Sequence, residues 1–246
     1  MTETPIILSF DTATLGGSVC LARGEEILSS IIGDPEVSHS SILLRDIDRT
    51  LDAAGVSLAE VDLFAAAAGP GSFTGLRIGL ASIKALSQTS GRPCFGIPTL
   101  QAIAHTAGPS SATVALLPAG RGEVFAQLFS VSSAGIVIEQ DAPAHLSPPS
   151  MLEKYGVLRD LKWAGQGAYT QREAIAEYAH RKGIDFGESP ESVAGWILVA
   201  RHADLAKDIA QLAWQRFQTG QIESADSLQA IYIRPADAEL KKIVSD

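Results

Sequence analysis

The chain has few of the residues that cross-link small secreted proteins or hold metal ions. Its 246 residues include two cysteines, Cys20 and Cys94, which form no C-x-x-C pair. Its five histidines show no H-x-x-x-H or H-E-x-x-H spacing. Two isolated cysteines fit a reducing compartment and do not predict a disulfide framework. The sequence therefore predicts no zinc site of the usual helical type.

Positive charge is also scarce, and long apolar runs are missing. Lys and Arg number 19 against 28 Asp and Glu, which gives a formal net charge of -9. This balance argues against a protein that holds nucleic acid unaided, because phosphate binding needs clustered Lys and Arg. No apolar run approaches the roughly 18 residues of a membrane span, and the start MTETPIILSFD lacks the basic region of a signal peptide. We therefore expect a cytoplasmic chain with no membrane partner.

The most informative stretch runs from residue 61 to residue 91 and is typical of a strand, a Gly-rich loop and a helix. Residues 61–68 are short and mostly apolar, as in a strand buried on both faces. Ser72 and Thr74 are suitable N-cap residues, and a helical period follows from Leu76. Gly91 can end the helix in a left-handed cap.

The loop in this stretch has two interpretations. A Gly-rich loop before a helix can present N–H groups to an anion, or it can let two backbones pack closely. The order G-P-G-S-F-T-G is neither a P-loop nor a dinucleotide fingerprint. Gly75 and Gly79 share one helix face, so another helix or a strand could approach there.

The N-terminal region predicts an antiparallel meander of three strands, over 6–10, 18–22 and 27–32. Asp11 and Thr12 follow the first strand directly. Short polar side chains at such a tip can hold a metal–phosphate, or they can cap the turn with their own oxygens. The residues alone do not decide between the two.

The second half repeats this pattern at lower fidelity. Apolar stretches over 113–117, 123–131 and 136–140 predict a second meander. Residues 142–150 are typical of a loop, and Gly165-Gln166-Gly167 predicts a second Gly-rich turn. An amphipathic helix is predicted over 203–217. The order of elements favours mixed sheets with helices on their faces.

Five segments together resemble the TsaB, or YeaZ, family from one end of the chain to the other. They are GPGSFTGLRIG at 69–79, Asp11-Thr12, Ser38-His39-Ser40, RGEVF at 121–125 and IYIRPADAE at 231–239. The resemblance implies an α/β chain with the actin/Hsp70/sugar-kinase type of ribonuclease H-like fold, duplicated into two mixed-sheet lobes. It implies an N-terminal, partner-binding lobe of 1–106 plus 203–225, a C-terminal lobe of 107–202 and a tail of 226–246.

The resemblance also implies a role in bacterial tRNA modification. The expected activity is that of a non-catalytic scaffold for threonylcarbamoyl transfer to adenosine 37 of tRNAs that read ANN codons. The expected partners are the catalytic subunit TsaD and the ATPase TsaE, with a homodimer when the chain is alone. We expect contact with tRNA only through TsaD. We expect no cofactor beyond weak ATP or ADP at the partner interface. Pro118 stands before the RGEVF strand, where family members often have an Asp, and this departure argues against ion or nucleotide binding near that turn.

In this family the partner surface consists of two helices, which correspond here to 40–54 and 76–90. A helix pair that meets its twin makes a four-helix interface, and small residues allow close approach. The alternative is that the apolar stripes of both helices are used up on their own sheet. The expected interface residues are His39, Leu43, Ile47, Gly75, Leu76, Gly79, Ser82, Ile83 and Leu86.

The competing hypothesis is an enzyme of the same fold, a small-molecule phosphotransferase. Asp11, Thr12, Gly165 and Gly167 would then belong to its phosphate loops. Against it, no catalytic acid is evident beside a substrate loop, and no adenosine motif is convincing. A third hypothesis is a regulatory homodimer that acts on its own.

Overall fold

The computed structural model describes residues 4–34, 39–188, 195–200, 202–221 and 223–233, without the side chains of residues 39–41. The chain divides into two compact units. Unit 1 comprises Met1–Ala102 and His202–Ala230, and unit 2 comprises Ile103–Arg201 and Ile231–Asp246. These boundaries lie a few residues from the predicted ones, and residues 226–230 belong to unit 1 rather than to a separate tail. The motif residues 234–239 and Ser38 lie outside the described residues.

Unit 1 is built on a five-stranded sheet with the order β3-β2-β1-β4-β5. The first three strands form the predicted antiparallel meander, and β4 and β5 continue the sheet parallel to β1. The innermost strands are buried on both faces, which explains their nearly continuous apolar sequence. The five strands are β1 Ile6–Asp11, β2 Ser18–Arg23, β3 Glu26–Ile32, β4 Leu63–Gly69 and β5 Cys94–Pro98.

Four α-helices and a short 3-10 helix accompany this sheet in the described residues. They are α1 His39–Ala54, the 3-10 turn Leu58–Glu60, α2 Phe73–Ser90, α3 Thr99–Thr106, which crosses the unit boundary, and α7 Leu205–Gln218. Ser72 is the N-cap of α2, where its hydroxyl accepts from the Gly75 N–H at 3.2 Å. Thr74 lies inside the helix and is not the cap. Gly91 ends the helix in the left-handed region, as predicted.

Unit 2 repeats the sheet of unit 1. Its path is β11-β12-β10-β6-β7-β8, with β9 also paired to β7. The meander β6-β7-β8 corresponds to β1-β2-β3, and the parallel strands β10 and β12 take the places of β4 and β5. This confirms the predicted duplicated mixed-sheet α/β fold. The elements are β6 Ser110–Gly120, β7 Glu123–Val131, β8 Val137–Glu139, β9 Ala144–Leu146, α4 Pro148–Tyr155, β10 Leu161–Ala164, α5 Gln166–Thr170, α6 Arg172–Lys182, β11 Phe186–Gly187 and β12 Trp196–Leu198.

The returning helix α7 packs on the sheet of unit 1. Its buried side is apolar and includes Ile209 and Ala210, which have no exposed surface. Two hydroxyl groups of the sheet join its first turn, since Ser18 Oγ accepts from the Ala206 N–H at 2.9 Å and Ser9 Oγ donates to the Ala206 carbonyl at 2.7 Å. The bond from the Ala206 N–H satisfies a first-turn donor that has no partner within the helix, and the Ser9 hydroxyl adds a second donor to a helical carbonyl.

Two local predictions are corrected by the structure. The predicted loop 142–150 contains β9 and the start of α4, because Ser147 caps that helix and Pro follows at its first positions. The predicted turn at Gly165-Gln166-Gly167 is the start of α5, with Gly165 as the N-cap residue of that helix.

Candidate interaction site

The strand tip at Asp11 and Thr12 is a closed hydrogen-bonded turn. Asp11 Oδ1 accepts from the backbone N–H of Ala13 at 2.7 Å and of Thr14 at 3.2 Å, and Oδ2 accepts from the Thr14 hydroxyl. Thr12 Oγ1 donates to the Gly75 carbonyl at 2.7 Å. The adjoining cavity measures about 10 Å³, which is room for about one water molecule. This geometry matches the turn-capping interpretation of both residues.

The glycines of α2 let the helix contact this turn directly. A Cβ on Gly75 would overlap the carbonyl oxygen of Thr12, and a Cβ on Gly79 would overlap the Thr12 hydroxyl. A third glycine, Gly71, lies against Ala13, where a Cβ would be 2.6 Å from the carbonyl oxygen. The motif GPGSFTGLRIG therefore packs the start of α2 onto the turn that follows β1 of its own sheet.

The second Gly-rich segment does the same in unit 2. Gly165 has a φ of 91°, and a Cβ there would overlap the Leu116 carbonyl oxygen. A Cβ on Gly167 would lie 2.7 Å from the Leu116 carbonyl carbon. The glycines of the first Gly-rich segment thus lie against the turn that follows β1, and Gly165 and Gly167 lie against β6.

Six of the nine expected interface residues lie in the core of unit 1 in the structure. Side-chain exposure is 5% or less at Leu43, Ile47, Leu76 and Ile83, and Gly75 and Gly79 are buried too. These residues form the stripes that bind α1 and α2 to their own sheet, so we correct their assignment to a partner surface. Ser82 and Leu86 are half-buried, and the side chain of His39 lies outside the described residues.

A groove of about 630 Å³ remains open between α1, the 3-10 turn and α2. Its walls include Leu44, which is 67% exposed, and Leu58, which is 41% exposed. Leu44 lies outside the buried stripe of α1, which runs through Leu43 and Ile47. The remaining lining residues are Ala59, Phe64, Ala81, Ser82, Ala85, Leu86, Thr89 and Ser90.

The groove lining is almost uncharged, and the cations near it have contacts within the chain. Arg45 and Arg49 both reach Asp46, at 3.3 and 3.6 Å. The Arg77 guanidinium lies 3.9 Å from the centroid of the exposed Phe73 ring. Apolar walls with small residues between them are suited to a helix from another protein.

Within the part of the chain that the structure describes, the cysteines and the potential metal ligands form no further candidate site. Both cysteines are free and buried. Burial, followed by the Asp204 carboxylate, raises the pKa of the Cys20 thiol to about 12, so this thiol is not a reactive thiolate near neutral pH. Within the described ranges, no three His, Cys, Asp or Glu side chains lie close enough to hold a metal ion together. Over the same ranges, no helix is long and apolar enough to cross a membrane.

Known proteins match the chain over most of its length. A family model described as TsaD, tRNA N6-adenosine threonylcarbamoyltransferase, matches residues 34–215. The tRNA threonylcarbamoyladenosine biosynthesis protein TsaB of Escherichia coli is 26% identical over 93% of this chain and 94% of its own length. A tRNA N6-adenosine threonylcarbamoyltransferase of Brucella ovis is 42% identical over 76 residues, which are 30% of this chain and 21% of that enzyme.

Two solved structures share the fold of this chain. A protein described as similar to peptidase YeaZ from Pseudomonas aeruginosa superposes with a TM-score of 0.71 and 26% identity, over 94% of this chain and 100% of that one. YeaZ from Pseudomonas aeruginosa itself superposes with a TM-score of 0.70 and 24% identity, over 93% and 99% of the two chains. The chain belongs to the TsaD family and, within it, to the TsaB (YeaZ) proteins.

Proposed function

We propose that the chain is a non-catalytic subunit in tRNA threonylcarbamoyladenosine biosynthesis and acts in the cytoplasm. It dimerises with a TsaD-type transferase through the groove between α1 and α2, and the pair recruits a TsaE-type ATPase. The observation that carries the proposal is the open apolar groove in unit 1, with two large leucine side chains exposed beside small residues. The pathway is that of the TsaB relative from Escherichia coli.

The groove has the size and chemistry of a helix-binding surface. Full burial of a leucine side chain contributes about 1.5–3 kcal/mol, so Leu44 and Leu58 together can supply several kcal/mol to an interface. Ala81 and Ala85 lie one turn apart on the exposed side of α2. Small residues at this spacing allow a partner helix to approach closely with its own large side chains.

The same proposal assigns no phosphotransfer to the two Gly-rich loops. The space that a Cβ would need is occupied by the turn after β1 in unit 1 and by the backbone of β6 in unit 2, and the cavity next to Asp11 measures about 10 Å³. A phosphate group is larger than the single water molecule that such a space holds. The loops therefore serve to pack helices onto strands, and any ATP or ADP binds weakly, in the complex with the partner.

Reconstitution with a charged variant tests the proposal. The components are the chain, its cognate TsaD and TsaE, threonylcarbamoyl-adenylate, ATP and unmodified tRNA. Leu44→Asp places a carboxylate in the groove, and Ile138→Asp makes the same change at a side chain of unit 2 that is 53% exposed. We expect Leu44→Asp to weaken TsaD binding at least tenfold, since loss of one buried leucine costs about 2 kcal/mol, and to slow modification. Ile138→Asp should behave as wild type.

The outcomes separate the parts of the proposal. Equal TsaD affinity for the two variants, with both folded by circular dichroism, would mean that the groove is not the interface. Undiminished modification after omission of the chain would exclude the scaffold role. Turnover of Mg-ATP by the chain alone, with transfer of phosphate to a small molecule, would favour the alternative hypothesis of a phosphotransferase of the same fold.

A further inference from the structure

The last turn of α6 in unit 2 exposes three consecutive basic residues, His180, Arg181 and Lys182. They stand out in a chain with a net charge of -9. Among the described residues, most other Lys and Arg side chains form ion pairs with carboxylates. Examples are Arg92 with Asp62, Lys154 with Asp141, Arg172 with Glu188, Lys207 with Asp204 and Arg216 with Glu223. Arg181 and Lys182 have no such ion pair within those residues.

An aromatic ring holds the two cations in place. The Arg181 guanidinium lies 5.7 Å and the Lys182 ammonium 5.6 Å from the centroid of Tyr178. The Tyr178 ring stacks on Trp196, with centroids 5.9 Å apart and planes 5° from parallel. Trp196 has no exposed surface. The charges are therefore anchored to the core of unit 2, which lowers the entropy that a ligand must remove when it binds them.

A structural explanation also exists for cations at this position. Positive side chains in the last turn of a helix interact favourably with its dipole, by about 0.3–1 kcal/mol each. That role needs no aromatic ring beneath the cations and no exposure of both charges. The exposed acidic residue Glu177, one turn before Arg181, makes no ion pair with it in the described residues and weakens the local potential without cancelling it.

We propose that Arg181 and Lys182 contact the sugar–phosphate backbone of the substrate tRNA. This inference rests on the proposed function, since it takes tRNA modification as the activity of the complex. It revises the sequence-based expectation that tRNA is touched only through the partner. Two fixed cations bind phosphate by charge and hydrogen bonding without reading bases. Alone they are too few for stable binding, so they add to the affinity of the assembled complex.

The test measures tRNA affinity of the complex between the full-length chain and its TsaD-type partner. Fluorescence anisotropy with unmodified tRNA follows binding over a series of salt concentrations. Arg181→Glu is compared with Arg23→Glu, which changes the net charge equally at an exposed residue of unit 1. We expect Arg181→Glu to weaken tRNA binding about three- to tenfold and to reduce the slope of log K against log salt by roughly one. Arg23→Glu should match wild type. Glu177→Lys should strengthen binding.

Each other outcome overturns the inference. Equal affinities for Arg181→Glu and Arg23→Glu, or a loss of thermal stability with unchanged tRNA affinity, would leave only the helix-dipole role. Loss of TsaE recruitment with unchanged tRNA affinity would assign the cations to an acidic protein surface. The proposed function is tested separately, since it is wrong if modification proceeds without the chain. An unchanged tRNA affinity of the Arg181→Glu complex contradicts the tRNA contact alone and leaves the proposed function standing.

Discussion

At the residue scale, glycine decides how the GPGSFTGLRIG segment works. The segment offered two interpretations, an anion cradle or close backbone packing, and its spacing could not separate them. The answer depends on what stands opposite Gly75 and Gly79, which is Thr12, 63 residues away from Gly75 in the sequence. A contact over such a distance is invisible to local pattern. The same limit explains why both glycines were expected at a partner surface.

Gly75→Ala tests this packing, because the packing and the helix propensity predict changes of opposite sign in the free energy of unfolding. Alanine in place of glycine inside a helix normally stabilises by about 1 kcal/mol. Here the new Cβ would overlap the backbone oxygen of Thr12, which cannot rotate away, so we expect a net destabilisation of about 2 kcal/mol or more. Urea unfolding with an unchanged m-value measures it. Ser82→Ala, on the same helix and half-buried, should change stability by a few tenths of a kcal/mol. A Gly75→Ala protein as stable as wild type would contradict the packing argument.

At the element scale, the segment that follows α7 covers the outer strand of the unit 1 sheet. The Cys94 N–H donates to the Glu223 carbonyl at 3.3 Å, and the Gly96 N–H donates to the Glu223 side chain at 3.2 Å. Arg216 holds the same region, since it donates to the Gly96 carbonyl at 3.1 Å. Leu228 is buried against Gly96. The edge of β5 is thereby closed to pairing with another chain.

Removal of the Glu223 carboxylate should open this edge locally. Glu223→Ala leaves the Gly96 N–H without its acceptor, and we expect a loss of about 1–2 kcal/mol. Hydrogen exchange should show faster exchange at Gly96 and its neighbours in β5, with β1 protected as before. Glu139→Ala, at an exposed residue of unit 2, is the matched control. Unchanged exchange at Gly96 would show that the backbone contact of residue 223 is sufficient.

The sequence predicted the elements better than their free surfaces. Both meanders, α2 and α7 followed from periodicity and turn residues, because each pattern reflects burial on a neighbouring sheet. The groove could not be predicted from the sequence, because Leu43 and Leu44 are adjacent. Periodicity does not fix which of two neighbouring leucines faces the sheet, and in the structure Leu43 is buried while Leu44 is exposed. Residues 142–150 were expected as a loop because Pro suits both loops and first helical turns.

At the scale of the whole molecule, unit 1 consists of two separate parts of the sequence. The described strands of unit 2 lie between these two parts in the sequence. Unit 1 therefore depends on a helix that follows all of unit 2. The buried side of α7 includes Leu205, Ile209 and Leu212, and full burial of three such side chains contributes about 5–9 kcal/mol. Domains of this size are stable by about 5–15 kcal/mol in total. Unit 1 should not fold without α7.

A chain that ends at residue 201 tests this dependence. Its tryptophans, Trp163 and Trp196, both belong to the core of unit 2, with ring centroids 5.1 Å apart, whereas Trp214 is removed with α7. We expect the near-ultraviolet circular dichroism of the Trp163–Trp196 pair to persist, while the amides of β1 and β4 lose protection from hydrogen exchange. Addition of a peptide of residues 202–233 should restore that protection, because it supplies α7 and the cover of β5. A peptide with Ile209→Asp should fail to do so, since a carboxylate at a fully buried position has no partner there. Protected β1 amides in the shortened chain alone would show that unit 1 reaches its fold without the returning helix.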